Sequence, residues 1–218
     1  MTVRKLAILG IMVLLFANIA SARDAEDHKH LLHELGGPFI VYRNNVQMEL
    51  KLSDDQKQRL QERLPVTIQE TTKVLENLES LQANEREKVI HSLRQKSGEK
   101  LWAFLNQTLT AEQLKRFQQL ELQHEGPAAL VGRPEIVTKL QITNEERHRV
   151  MAIIQELQSK IEPLTKDARS GGNPKEILPI VIRIREDYDG KIEAVLSDAQ
   201  RKQWKEMRGK PFDVFIDN

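Results

Sequence analysis

Four short segments of this 218-residue chain repeat one pattern: Leu52-Ser53-Asp54-Asp55-Gln56, Leu109-Thr110-Ala111-Glu112-Gln113, Ile142-Thr143-Asn144-Glu145-Glu146 and Leu196-Ser197-Asp198-Ala199-Gln200. Each reads aliphatic, then Ser or Thr, two positions that are often acidic, then Gln or Glu. A hydroxyl followed three residues later by Gln or Glu is a capping box. The hydroxyl accepts from the backbone N–H three residues on, and the long side chain reaches back to the cap N–H. Acidic residues in between suit the positive end of the helix dipole. The pattern therefore marks four helix starts.

Spacing turns this local signal into a statement about the whole chain. The first two boxes lie 57 residues apart, the last two 54, and the first and third 90. The shift of 90 also aligns Val46 with Ile136, Leu50 with Leu140, Leu60 with Val150 and Leu64 with Ile154. A tandem duplication is expected, with repeats over 40–126 and 135–212, a turn-rich joint at 127–134 and a tail at 213–218. Apolar residues follow the boxes at helical spacing: Leu60, Leu64 and Ile68 after the first, Val150, Ile154, Leu157 and Ile161 after the third. Asn173-Pro174, after Gly171-Gly172, reads as another start with Pro at the first helical position. Pro65, Pro163 and Pro179 fall within helical patterns and are expected to kink or interrupt them. Aromatic residues are only 5% of the chain, while helix formers abound, which argues against a sheet sandwich. The expected fold is all-α: two tandem helical-hairpin units forming an elongated or curved bundle.

The first residues read as an address. Arg4 and Lys5 precede an apolar run from Leu6 to Phe16, and Ala20-Ser21-Ala22 supplies the small residues of a cleavage site. This is the tripartite form of a secretory signal peptide, with cleavage expected after Ala22. The run is too short for a membrane span, which needs about 20 apolar residues. Cleavage removes two cations and no acid, taking the formal charge from +1 to −1. No other segment reads as transmembrane, so a periplasmic or other envelope location is expected. The chain has no Cys, which excludes disulfides, thiol nucleophiles and cysteine zinc sites. The near-zero charge gives no basic field for nucleic acid.

Repeated Leu-Thr/Ser-x-x-Gln boxes in an exported, charge-rich helical chain resemble the LTxxQ-motif periplasmic proteins typified by Spy and CpxP. The tandem arrangement and the Gln203-Trp204-Lys205-Glu206-Met207 to Phe212 stretch are also similar to exported proteins of planctomycetes. Leu52, Ser53, Gln56, Leu109, Thr110, Gln113, Leu196, Ser197 and Gln200 carry the match, and Ile142, Thr143 and Glu146 form a degenerate fourth copy. The resemblance implies a non-enzymatic envelope-stress or chaperone-type protein that binds a protein client or an envelope sensor through a helical surface. Here one chain carries two pairs of boxes, which implies that both halves of a family dimer lie in one polypeptide. A homo-oligomer is compatible with this reading.

Two other functions stay open. His28, His30 and His33 crowd with Asp24, Glu26, Asp27 and Glu34 into eleven residues of the segment 23–39. Imidazole and carboxylate ligands suit a divalent transition metal, so metal binding or sensing is one alternative, and adventitious binding by a solvated terminus is the plain one. An envelope scaffold without either activity is the other. No cofactor is otherwise expected. Glu121/His124 and Glu145/His148 have the Glu-x-x-His spacing of di-iron bundles, but read as surface residues near helix ends. No nucleophile elbow, zinc helix or phosphate loop occurs. Trp102, Phe104, Phe117, Trp204, Phe212 and Phe215 read as core filling, and the tail as a segment that docks or stays exposed.

Overall fold

The computed structural model describes residues 36–75, 83–212 and 214. All regular structure among them is helical, with no strand. A 3-10 turn, Gly37–Tyr42, is followed by α1 (Asn44–Glu49), α2 (Asp54–Leu75), α3 (Ala83–Thr108) and α4 (Ala111–Glu125). A second 3-10 turn, Gly126–Ala128, is followed by α5 (Ala129–Gly132), α6 (Pro134–Lys139), α7 (Asn144–Arg169), α8 (Pro174–Glu193) and α9 (Asp198–Arg208). The described residues divide into two compact units: 36–124 with 209–214, and 125–208.

The two units run through matching elements in the same order, with α5 of the second standing where residues 39–42 of the Gly37–Tyr42 turn stand in the first. Helices α1 and α6 each end on a residue with positive φ, Lys51 at 51° and Gln141 at 52°. In both, the next N–H reaches five residues back, Leu52 to Gln47 O at 3.2 Å and Ile142 to Val137 O at 3.0 Å. This Schellman closure satisfies the last carbonyls and turns the chain into the box. Leu52 and Ile142, the apolar residues just past the turn, are buried.

The stretch read from the sequence as a joint opens the second unit. Shifted by 90, Gly36, Ile40, Val41 and Arg43 fall on Gly126, Leu130, Val131 and Arg133. Both glycines have positive φ, 67° and 65°, and Phe39 to Tyr42 and Ala129 to Val131 are buried on the two sides. The Gly-Pro turn chemistry is real, but the apolar residues after it belong to a core rather than to a linker.

From the return helices α3 and α8 onward the correspondence shifts to 87 residues. Leu101, Leu105, Leu109 and Phe117 match Tyr188, Ile192, Leu196 and Trp204, and all eight are buried. In the first unit, α2 packs on α3, which also contacts the Gly37–Tyr42 turn. Its core joins Phe39, Ile40, Val46, Leu60, Leu101, Leu105, Phe117 and Leu120. Tyr42 donates or accepts at Thr67 Oγ1, 3.0 Å away within this core, and its burial pushes the phenol pKa up against the lowering effect of that bond. In the second unit, α7 packs on α8, and Ile161, Ile177 and Val181 form an outlying cluster of their own.

Two expectations that left alternatives open are narrowed. Pro65, Pro163 and Pro179 do not interrupt their helices; α2, α7 and α8 run through them. Each proline is exposed, so the carbonyl that loses its N–H partner lies on the wet side, where water replaces the bond. The tail does not hang free over its described part. Val214 is buried, its carbonyl accepts from Asn45 Nδ2 at 3.3 Å, and the Phe212 N–H donates to Gln123 Oε1 at 2.7 Å. Residues 213 and 215–218, Phe215 included, lie outside the described residues.

Candidate functional site: the paired capping boxes

Each box closes on itself. The Ser53 and Thr110 N–H groups donate to Gln56 Oε1 (3.0 Å) and Gln113 Oε1 (2.9 Å), and the Gln N–H groups donate back to the hydroxyls at 3.2 and 3.3 Å. In the second unit Thr143 N–H donates to Glu146 Oε2 (2.8 Å) and Ser197 N–H to Gln200 Oε1 (2.8 Å), again with return bonds to the hydroxyls. These bonds satisfy backbone donors that a helix start leaves open.

The glutamines do a second job that capping alone does not require. Gln56 Nε2 donates to the Thr108 carbonyl at 2.9 Å, closing the end of α3, and to Gln113 Oε1 at 2.8 Å. Gln113 Nε2 donates to the Leu50 carbonyl at 3.2 Å and to Gln56 Oε1 at 3.0 Å. The two amides thus form a reciprocal pair, and each ties down the carbonyl that precedes the partner's box. Only a side chain with both an acceptor and donors can cap its own helix and also donate to a carbonyl of the other. That is the physical reason for Gln at this position.

The second unit solves the same problem with different residues. Gln200 Nε2 donates to the Leu140 carbonyl, the counterpart of Leu50, and to Glu146 Oε2, both at 3.2 Å. Glu146 has no N–H with which to reach the end of α8. Arg201 does this instead, donating from Nη1 to the Leu196 carbonyl at 2.7 Å and to the Glu193 carbonyl at 3.4 Å. It is held from the other side by Asp198. The matching residue of the first unit is Leu114, which packs against the core instead. At Glu146 burial pushes the carboxyl pKa up. The bonds from Thr143 and Gln200 and the charge of Arg149 outweigh that effect and hold it below its ordinary value.

The groups of the boxes are committed to backbone and to one another, so the arrangement joins helix ends and offers no nucleophile or proton-transfer pair. The other sequence candidates scatter. His28, His30 and His33 lie outside the described residues, among which no cluster of three or more His, Asp or Glu could hold a metal. Glu145 and His148 are exposed, and the pairs Glu121/His124 and Glu145/His148 fall in different units. Glu121 departs from its surface assignment: it is 2% exposed. Phe117, Leu120 and Glu121 follow one helical stripe, so Glu121 is carried into the packed face of α4.

One surface feature was not singled out from the sequence. The first half of α8 reads Ile177-Leu178-Pro179-Ile180-Val181-Ile182, apolar around the whole helix rather than on one stripe. Ile177 and Val181 enter the core, whereas Ile180 is 48% and Ile182 44% exposed. A six-residue apolar run inside a surface helix was the available signal.

No protein-family model matches the chain, and no curated protein or solved structure is significantly similar to it. Among the described residues no helix is long and apolar enough to cross a membrane.

Proposed function

We propose that this is a non-enzymatic, exported helical binding protein of the Spy/CpxP-like kind, which holds non-native protein clients through a helical surface. The observation that carries the reading is the first half of α8, where Ile180 and Ile182 stand exposed beside buried Ile177 and Val181. Two residues apart, Ile180 and Ile182 flank the buried stripe of α8 on its two sides, and apolar side chains exposed there offer contacts that an unfolded segment can cover. The signal-peptide pattern of residues 1–22 and the four boxes support a location in the cell envelope.

The test is suppression of client aggregation by the mature chain, from residue 23 onward. Equimolar protein should reduce light scattering of an unfolding client, and Ile180→Asp/Ile182→Asp should lose most of that effect while keeping its helical circular dichroism. No suppression at tenfold excess, or equal suppression by the double variant, would sink the reading.

A further inference from the structure

Where the first unit places the apolar Trp102, the second places the carboxylate of Asp189. By the 87-residue correspondence, Gly98, Trp102 and Glu121 match Arg185, Asp189 and Arg208. In the first unit Trp102 packs against the core, its ring centroid 5.4 Å from that of Phe117, and Pro38 closes over Gly98, 3.5 Å from where a Cβ would stand. In the second unit the carboxyl of Asp189 faces the Gly126–Ala128 turn instead. Its oxygens lie 3.7 and 4.0 Å from where a Cβ on Gly126 would be, and α8 contacts this turn.

We propose that Asp189 is a proton-operated clasp: neutral, it seats α8 against the Gly126–Ala128 turn, and ionised, it loosens that contact. The turn itself, Gly126-Pro127-Ala128, brings no titratable side chain. On α8, Arg185 stands one turn before Asp189, with Glu186 beside it and Glu193 one turn after. From α9 comes Arg208, whose charge is shared with Glu193 at 2.6 Å. From α7, Glu156 is engaged by the Tyr188 hydroxyl at 2.6 Å and by Lys191 at 4.0 Å. A carboxylate here gives up water for a backbone turn and two guanidinium groups. One of these, Arg208, is shared, and the other, Arg185, is itself disfavoured as a cation by burial.

Burial therefore dominates, and with Glu193 and Glu186 it outweighs Arg185 and Arg208, raising the Asp189 pKa to about 6. The folded value lies above the ordinary 3.8, so folding takes up a proton in the window between them. The contribution to stability is complete below the unfolded value and is lost as pH rises through about 6. The unit of residues 125–208 should thus tighten as its surroundings become mildly acid.

Two measurements on the full chain decide this. In the wild type, the 13C-carboxyl titration of Asp189 should have its midpoint at about 6. Separately, the urea midpoint of the wild type should rise as pH falls from about 7.5 to about 5, and Asp189→Asn should remove that rise. A carboxyl midpoint in the ordinary Asp range, or the same pH slope in both proteins, overturns the clasp. Should Asp189→Asn fail to fold, the titration decides on the wild type alone. Arg208→Gln, which withdraws a cation, should move the Asp189 midpoint higher still; a fall would count against the proposal.

Discussion

The first unit joins its two box helices with a symmetric pair of amides, and the second joins them with an acid, an amide and an arginine. Both arrangements tie the carbonyl before α2 or α7 (Leu50 O, Leu140 O) to a glutamine of the other box. They differ at the end of the long return helix. Gln56 closes α3 from across the pair, while Arg201 closes α8 from within its own helix. The comparison teaches that both units bring a side-chain donor to the end of the return helix, from the partner box at Thr108 O in the first and from α9 at Glu193 O and Leu196 O in the second.

Three experiments test how deep the likeness between the units goes. The largest effect belongs to the shared core position. Phe117→Ala and Trp204→Ala should each cost about 3–5 kcal/mol, because both side chains are fully buried at equivalent places. Urea unfolding of each variant measures the loss. A cost below about 1 kcal/mol at either site would break the equivalence of the two cores.

The second experiment converts one latch into the other. Gln56→Glu removes the donor to Thr108 O and should cost about 1–3 kcal/mol, the usual result of leaving a buried carbonyl unmet. Adding Leu114→Arg places a guanidinium at the Arg201 position, where it would meet the Asn106 and Leu109 carbonyls, the counterparts of Glu193 and Leu196, and should restore part of that loss through the same helix end. A double-mutant cycle reads the coupling. Additive costs would show that Arg201 does not substitute for the missing amide. The smallest effect concerns the turns before the boxes. Lys51→Gly and Gln141→Gly should each stabilise by about 0.5–1 kcal/mol, since glycine adopts positive φ without the steric cost of a Cβ. A loss of stability would mean that these side chains hold something the turn needs.

What the sequence made legible was local. A capping box is complete within four residues, so Ser53/Gln56 and its three relatives could be read directly. So could Pro174, which opens α8 as its first helical residue. The bond from Gln56 to Gln113 spans 57 residues, and no pattern within either box shows which helix end lies opposite. Gly126-Pro127 misled for a related reason: turn chemistry looks the same in a linker and at the mouth of a domain. Only the burial of Ala129, Leu130 and Val131 separates the two. Glu121 reads as surface from its nearness to the helix end, but the stripe it shares with Phe117 and Leu120 carries it inward. Ile180 and Ile182 lie off the Ile177/Val181 stripe, and helical periodicity alone does not show whether another element covers that side.

The division of labour between Gln56 and Arg201 constrains how this gene can recombine. Repeated halves invite unequal crossover, which splices the front of one repeat onto the back of the other. A hybrid with Gln56 ahead of Arg201 carries two donors for one helix end and tolerates the exchange. The reciprocal hybrid sets Glu146 ahead of Leu114, and the helix between them ends on a carbonyl that neither residue can reach. The two products of a single crossover are therefore unequal, and lineages that shuffle these halves should retain one and lose the other.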